Sequence, residues 1–119
     1  MPHTLVNTWN CFLFSVRLVG GSTVYSGRVE IFHGGEWGTV CDDRWDDDDA
    51  RVVCRQLGYT GGIAETDHLY GQGSGRIWLD NVECTGREVF LIDCTANPMG
   101  AHNCGHYEDA GVSCRPDHQ

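Results

Sequence analysis

Cysteine density is the feature that most constrains this chain. Seven cysteines occur in 119 residues, close to the density at which a short chain is held together by disulfides. Zinc sites need closely spaced cysteine pairs. The last four cysteines instead lie ten residues apart, at Cys84, Cys94, Cys104 and Cys114. The zinc alternative is the alternation of His102, Cys104 and His106, which would place three ligands on one strand face. The spacing favours a disulfide scaffold from an oxidising compartment, so we expect a secreted protein or an ectodomain.

Length and charge restrict the function classes. A chain of 119 residues has room for one globular domain. Seventeen acidic residues face eight arginines and no lysine, which gives a net charge of −9. That charge repels nucleic acids and anionic lipid. The longest apolar stretch, residues 11–16, is far short of the roughly 20 residues that cross a bilayer. We therefore expect no nucleic-acid partner and no membrane insertion.

Both ends of the chain are predicted to be tails. Residues 1–15 lack the basic start, long apolar centre and cleavage site of a secretory signal. We interpret them as a linker or cloning remnant in which Cys11 is the odd thiol, either free or bonded to another chain. The predicted domain spans residues 16–115, and residues 116–119 form a short C-terminal tail.

Period-two patterns predict short strands. Residues 28–32 alternate polar and apolar side chains, residues 34–35 supply a glycine turn, and residues 37–41 return as a second strand. Further strands are expected at residues 77–79 and 111–114. Short strands joined by glycine turns are typical of an antiparallel sheet.

One segment has helical periodicity. Its apolar face consists of Ala50, Val53, Cys54 and Leu57. Asp46 is placed to cap this helix and Gly58 to end it. We interpret the acid run at residues 46–49 as first-turn residues that complement the helix dipole, and residues 87–93 as a further helical turn.

Several motifs occur together in one order. They are VRLVGG at 16–21, GRVE at 27–30, WGTVCDD at 37–43, VCRQLG at 53–58, GSGRIWLD at 73–80, NCGH at 103–106 and EDAGV at 108–112. Over residues 16–115 the chain resembles a scavenger receptor cysteine-rich domain. The resemblance implies an α+β fold: a small disulfide-stapled domain in which a curved, mostly antiparallel sheet cradles one helix.

The cysteine count implies one branch of that family. Members carry eight cysteines or six, and here Tyr25 and Tyr59 occupy the positions of the extra pair. The chain therefore resembles the six-cysteine type, group A. Arithmetic alone allows fifteen pairings of six cysteines. The resemblance implies the pairs Cys41–Cys104, Cys54–Cys114 and Cys84–Cys94.

The resemblance also implies a cation site at Asp42, Asp43 and Glu108. A bond between Cys41 and Cys104 would bring these three residues together, because it holds the two Cα atoms roughly 5.5 Å apart. Clustered carboxylates repel one another unless a cation or an arginine neutralises them. Calcium suits such a site, with magnesium as a second choice. The alternative is an ion pair with Arg44 or another arginine.

A second, weaker cation site is implied at Asp80, Asn81 and Asn103. The alternative for Asp80 and Asn103 is hydrogen bonding to loop backbone, which such residues commonly form. Three other residues are candidate ligand contacts. They are Arg76 and Arg87 for anionic groups and Trp45, beside the acidic pair, for stacking. The other domain tryptophans, Trp37 and Trp78, lie in predicted strands, and we expect them in the core.

The functional hypothesis is an extracellular, calcium-assisted binding module of the scavenger and pattern-recognition type. The resemblance implies microbial polysaccharide, lipopolysaccharide, peptidoglycan or host glycoprotein as partners, met by an oligomeric or tandem native protein. Ser74, His106 and Asp109 are a nominal catalytic set, but no nucleophile motif surrounds them, so we expect no enzyme. The alternative is a non-catalytic targeting domain of a larger secreted protease or oxidase that binds a basic protein.

Overall fold

The computed structural model describes residues 15–116. Most of the predicted N-terminal tail, including Cys11, and residues 117–119 lie outside the described residues. The described chain forms six strands, one helix and two 3-10 turns. The strands are β1 (Val16–Gly20), β2 (Ser26–His33), β3 (Glu36–Val40), β4 (Gly62–Glu65), β5 (Arg76–Leu79) and β6 (Gly111–Cys114), the helix is α1 (Asp47–Gln56), and the 3-10 turns are Leu91–Asp93 and His106–Glu108. Within this range, no helix has the length and apolar character to cross a bilayer.

The strands form one curled sheet around β2. The order is β4-β6-β2-β3-β5. Outside this order, β1 also pairs with β2. All pairs are antiparallel except β3 with β5, which are parallel. The predicted fold class, a mostly antiparallel sheet with one helix, is confirmed. β1 and β4 are additional strands that the sequence pattern does not predict.

Helix α1 is defined by its caps and its buried face. Asp46 accepts hydrogen bonds from the N–H groups of Asp48 and Asp49, and the Asp49 side chain accepts from the Asp46 N–H, so both halves of a capping box are present. The helix ends before Gly58, whose φ of +98° suits glycine. Its buried residues are Asp49, Ala50, Val52, Val53 and Cys54. They pack against a sheet core that includes Val29, Ile31 and Val40.

Three disulfides hold the domain together, and two of them join segments that are distant in sequence. Cys41–Cys104 links the end of β3 to the loop before the second 3-10 turn, Cys54–Cys114 links α1 to β6, and Cys84–Cys94 closes a local loop. The six-cysteine type is thereby confirmed. Tyr25 and Tyr59 contact each other edge to face, with ring centroids 6.3 Å apart.

Asp49 ties the helix to the Cys84–Cys94 loop. Its carboxylate is fully buried and accepts the N–H groups of Cys84, at 2.7 Å, and Asp46, at 2.9 Å. Burial raises the pKa of Asp49 to about 7, and the two backbone bonds oppose that rise. One buried acid therefore fixes the start of α1 and the position of a separate loop.

We expect Asp49→Ala to lower the free energy of unfolding by about 3 kcal/mol, because two N–H groups lose their acceptor and one of these bonds is buried. Asp48→Ala is the matched control. Its half-exposed side chain makes only a 3.7 Å ion pair with Arg51, so the loss should stay below about 1 kcal/mol. Urea unfolding with the disulfides intact measures both. Equal losses would contradict this role for Asp49.

The raised pKa of Asp49 predicts a pH dependence of stability. An unfolded aspartate has a pKa of about 3.9, so between that value and about 7 the folded protein holds a proton that the unfolded chain releases. Lowering the pH from 8 to 5 should therefore stabilise wild type relative to Asp49→Asn. Urea titrations of both proteins at three pH values test this. A difference that is constant, or that shrinks at low pH, would be the contrary result.

Candidate cation site

Backbone contacts bring the end of β3 beside the second 3-10 turn. The N–H of Asp42 donates to the carbonyl of Glu108 at 2.8 Å, and Cys41 forms a β-bridge with Asp109. The Cys41–Cys104 disulfide crosses the same junction. The acidic pair that follows β3 is therefore held against Glu108 by both covalent and hydrogen bonds.

Two overlapping carboxylate groups result. One oxygen from each of Asp42, Asp43 and Glu108 lies within 4.8 Å of the others, and oxygens of Asp43 and Asp80 lie equally close. Cys41 is near both groups and Cys104 is near Asp43 and Asp80, but the two sulfurs are bonded to each other in the disulfide. We refer to Asp42, Asp43, Asp80 and Glu108 as the acidic cluster. Asp43 belongs to both of its halves.

Asp80 is the most buried member of the acidic cluster. It follows β5 directly, is 1% exposed, and its Oδ1 has no hydrogen-bond partner. No other buried side-chain nitrogen or oxygen among residues 15–116 lacks a partner. Leaving a buried carboxylate oxygen unpaired costs free energy. A cation beside Asp43 and Asp80 would remove that cost.

Burial and mutual repulsion raise the pKa values of two of these acids. Burial raises the pKa of Asp42, and the charges of Asp67 and Glu108 add to the rise, while the Asp67 N–H bond to its Oδ2 at 2.7 Å opposes it. Burial also raises the pKa of Asp43, followed by the charges of Asp80 and Glu108. The folded protein thus holds negative charge here at a cost, which is the condition that favours a bound cation.

No arginine neutralises the acidic cluster within residues 15–116. Arg44, the expected competitor, pairs with Glu83 instead. The remaining ion pairs of the described chain also leave the acidic cluster untouched. The arrangement therefore matches a cation site better than an internal salt bridge.

The two asparagines of the expected second site flank the Asp80 region. Asn81 has φ +56° and lines an opening with Arg44 and Glu83. Asn103 is exposed, and its Oδ1 lies 3.6 Å from the Cys104 sulfur. Within residues 15–116 no hydrogen bond joins either amide to Asp80. The structure brings the Asp80 carboxylate close to that of Asp43, and the roles of Asn81 and Asn103 stay a prediction.

The candidate ligand contacts have different surroundings. Trp45 is 6% exposed and its indole N–H donates to the Gly111 carbonyl, so most of its ring packs in the core, and the small remainder lines an opening with the first turn of α1. Arg76 lies 3.6 Å from Glu36 and 5.5 Å from the centre of the Trp78 ring. Arg87 is exposed.

Of the two tryptophans expected in the core, Trp78 is half-buried against it. Trp37 lies half-buried beneath Arg17, whose guanidinium carbon is 4.2 Å from the ring centre. Trp37 therefore departs from the expected core position.

Two further residues that the sequence does not assign to a cation site shape this one. Asp67, with φ +56°, donates its N–H to Asp42. Asp109 is buried, accepts the Gly73 N–H at 2.7 Å and contacts the His106 ring at 2.9 Å. Asp67 lies in a loop remote in sequence from Asp42, so no spacing pattern indicates it. The EDAGV motif contains Asp109 but carries no sign of its burial.

The fold, the three disulfides and the acidic cluster define a small extracellular-type binding domain. The chain belongs to the scavenger receptor cysteine-rich (SRCR) family, whose model matches residues 19–115. Domains of this family are non-catalytic binding modules, so the expectation of no enzyme is confirmed.

Two solved structures are similar to this chain. The third SRCR domain of murine neurotrypsin is 53% identical with a TM-score of 0.80, over 85% of this chain and 95% of that one. The dimeric form of the SRCR domain of mouse MARCO is 55% identical with a TM-score of 0.73, over 84% of this chain and 94% of that one.

We expect Asp43→Asn to stabilise the protein in the presence of chelator by up to about 1 kcal/mol, because it removes the charge common to both halves of the acidic cluster. Asp93→Asn, at an exposed acid on the first 3-10 turn, removes one charge elsewhere and should have little effect. Thermal unfolding in EDTA measures both variants. Destabilisation by Asp43→Asn alone would mean that its carboxylate supports the fold.

Proposed function

We propose that this domain is an extracellular, calcium-assisted ligand-binding module of the scavenger and pattern-recognition type. The observation that carries the proposal is the convergence of Asp42, Asp43 and Glu108 with no arginine among them. The buried, unpartnered Oδ1 of Asp80 supports it independently. Carboxylate oxygens are the ligands that calcium prefers.

Asp42, Asp43 and Glu108 would hold the first cation. All three side chains are partly exposed, so the opening admits both the ion and part of a ligand. Asp43 and Asp80 would hold a second, weaker cation, with Asn81 and Asn103 as further oxygen donors. Bound calcium would supply positive charge with open coordination positions for an anionic group of the ligand. Magnesium is the competing ion, although its stricter geometry fits a partly exposed site less well.

Few protein ligands imply weak affinity. Extracellular calcium modules bind at about 10⁻⁴ to 10⁻³ M, and we expect this range here. A weak site gains strength when several copies act together. The MARCO structure named above is a dimeric form, which supports an oligomeric or tandem native protein.

The similarity to a MARCO domain favours scavenger-type ligands. Microbial polysaccharide, lipopolysaccharide and peptidoglycan carry phosphate or acidic sugars, and host glycoproteins carry acidic sugars. These groups match a cation-bridged site on a chain whose own net charge is −9. The disulfide framework supports a secreted or ectodomain location.

A second candidate function is a non-catalytic targeting domain of a larger secreted protease or oxidase. The similarity to a third SRCR domain of neurotrypsin favours a place in a multidomain chain. In that case the acidic cluster would bind lysine or arginine side chains of a basic partner directly. Calcium would then be dispensable.

Calorimetric titration of calcium into chelator-stripped protein separates these two functions. We expect saturable heat for wild type and for the control Asp93→Asn, and at least a tenfold weaker response for Asp43→Asn. Binding to whole bacteria should fall in parallel on adding chelator and in Asp43→Asn. Absence of heat at millimolar calcium, together with chelator-resistant binding of a lysine-rich peptide, would favour the targeting domain instead.

A further inference from the structure

The loop between Cys84 and Cys94 is held rigidly against helix α1. The disulfide closes its base. The guanidinium of Arg55 donates to the Gly86 carbonyl at 3.2 Å, and the Leu91 N–H donates to the Gln56 side-chain oxygen at 2.8 Å. The exposed side chains of this loop therefore have fixed positions relative to α1.

Glu88 folds the loop on itself. Its carboxylate accepts the N–H groups of Thr85, Gly86 and Arg87 at 3.0–3.1 Å, and these bonds hold the pKa of Glu88 below its usual range. The charge of Glu88 is thus directed into the loop backbone. Its carboxylate orders the turn that carries Arg87 and Val89.

An opening of about 340 Å³ lies between this loop and the end of α1. Its lining consists of Arg55, Gln56, Arg87, Glu88, Val89 and Phe90. None of these residues belongs to the acidic cluster. We refer to the opening as the arginine pocket.

Two arginines of the pocket lack an ion pair. Most other arginines in the described chain are neutralised by acids: Arg17 and Arg28 by Glu30, Arg44 by Glu83, Arg51 by Asp48 and Arg76 by Glu36. Within residues 15–116, Arg55 and Arg87 have no such partner, and both line the same opening. Their two positive charges outweigh the single charge of Glu88.

Apolar side chains lie beside these charges. Val89 is 69% exposed although the loop is closed by a disulfide, and Phe90 lines the same pocket. The pocket thus offers adjoining cationic and apolar surfaces.

We propose that the arginine pocket binds an anionic amphiphile, a phosphate or sulfate monoester attached to an apolar chain. Arg55 and Arg87 would hold the anionic oxygens, because guanidinium forks match the geometry of such groups. Val89 and Phe90 would pack on the first carbons of the chain. The volume is at the lower end of small-molecule sites, which favours a headgroup with a short apolar segment over an extended acidic peptide.

The test is a titration of the full chain with hexyl phosphate, below its micelle concentration, in the presence of EDTA. Chelator removes any contribution of the proposed calcium site. Inorganic phosphate and hexyl glucoside serve as probes for the anionic and apolar halves alone. We expect hexyl phosphate to bind at least tenfold more tightly than either, with amide chemical-shift changes in residues 85–91.

Variants assign the two halves. Arg55→Gln and Arg87→Gln should each weaken hexyl phosphate binding about tenfold, as expected for charge-assisted hydrogen bonds. Val89→Ser should weaken hexyl phosphate about threefold and leave inorganic phosphate unchanged. Arg115→Gln is the matched control, because Arg115 has no ion pair with residues 15–116 and lies outside the pocket. Thermal unfolding verifies that each variant is folded.

Three results would overturn the proposal. One is equal affinity for hexyl phosphate and inorganic phosphate with no effect of Val89→Ser. Another is binding that is unchanged in both arginine variants. The third is preferential binding of a glutamate-rich peptide, which would identify the pocket as a contact for an acidic protein segment.

Discussion

The junction between the end of β3 and the C-terminal segment organises this domain. The Cys41–Cys104 bond crosses it, the Ala110 N–H donates to the Val40 carbonyl, and the Asp42 N–H donates to the Glu108 carbonyl. These bonds place a strand end and a 3-10 turn side by side although 63 residues separate the bridged cysteines. The acidic cluster is a direct consequence, because its members lie immediately beyond that junction. Loss of the bridge would therefore separate the carboxylates as well as loosen the fold.

Folding and binding make opposing demands at this junction. Bringing Asp42, Asp43 and Glu108 together raises the energy of the cation-free protein, as the raised pKa values of the first two show. Burying the unpartnered oxygen of Asp80 adds to that energy. The disulfides supply stability that does not depend on local charge, since they restrict the unfolded chain. A small domain can thus keep a repulsive cluster ready for a cation.

The sequence predicts the local elements well and the long-range contacts only in part. The spacing of Ala50, Val53 and Cys54, with Asp46 before them, indicates the helix because capping and periodicity are local properties. β4 has no such signal: its four residues, GIAE, become a strand only by pairing with β6. The sequence does not predict the arginine pocket either, because the pocket depends on which arginines form ion pairs in the folded protein.

Trp45 and Asp80 show the same limit at the site. An aromatic ring beside an acidic pair suggests a stacking surface. The ring of Trp45 is instead mostly buried, and its indole N–H donates to the Gly111 carbonyl. The resemblance to a known family groups Asp80 with Asn81 and Asn103, and the structure adds Asp43, whose carboxylate lies within 4.8 Å of that of Asp80. Residue type indicates the chemistry available, and the tertiary structure decides which groups meet.

The Tyr25–Tyr59 contact has a consequence for motion. Where eight-cysteine relatives are expected to have a covalent bond, this chain has an edge-to-face ring contact, worth about 1 kcal/mol beyond its buried area. A covalent bond prevents separation of its two segments at any temperature, whereas a ring contact breaks and re-forms by thermal fluctuation. The ring contact between the turn before β2 and the segment after α1 can therefore break without cleavage of a covalent bond. Backbone hydrogen bonds from Cys114 to Tyr25 and from Tyr59 to Cys54 tie both tyrosines to the neighbouring Cys54–Cys114 bridge, so amide exchange at this corner of the domain depends on that disulfide as well as on the two rings.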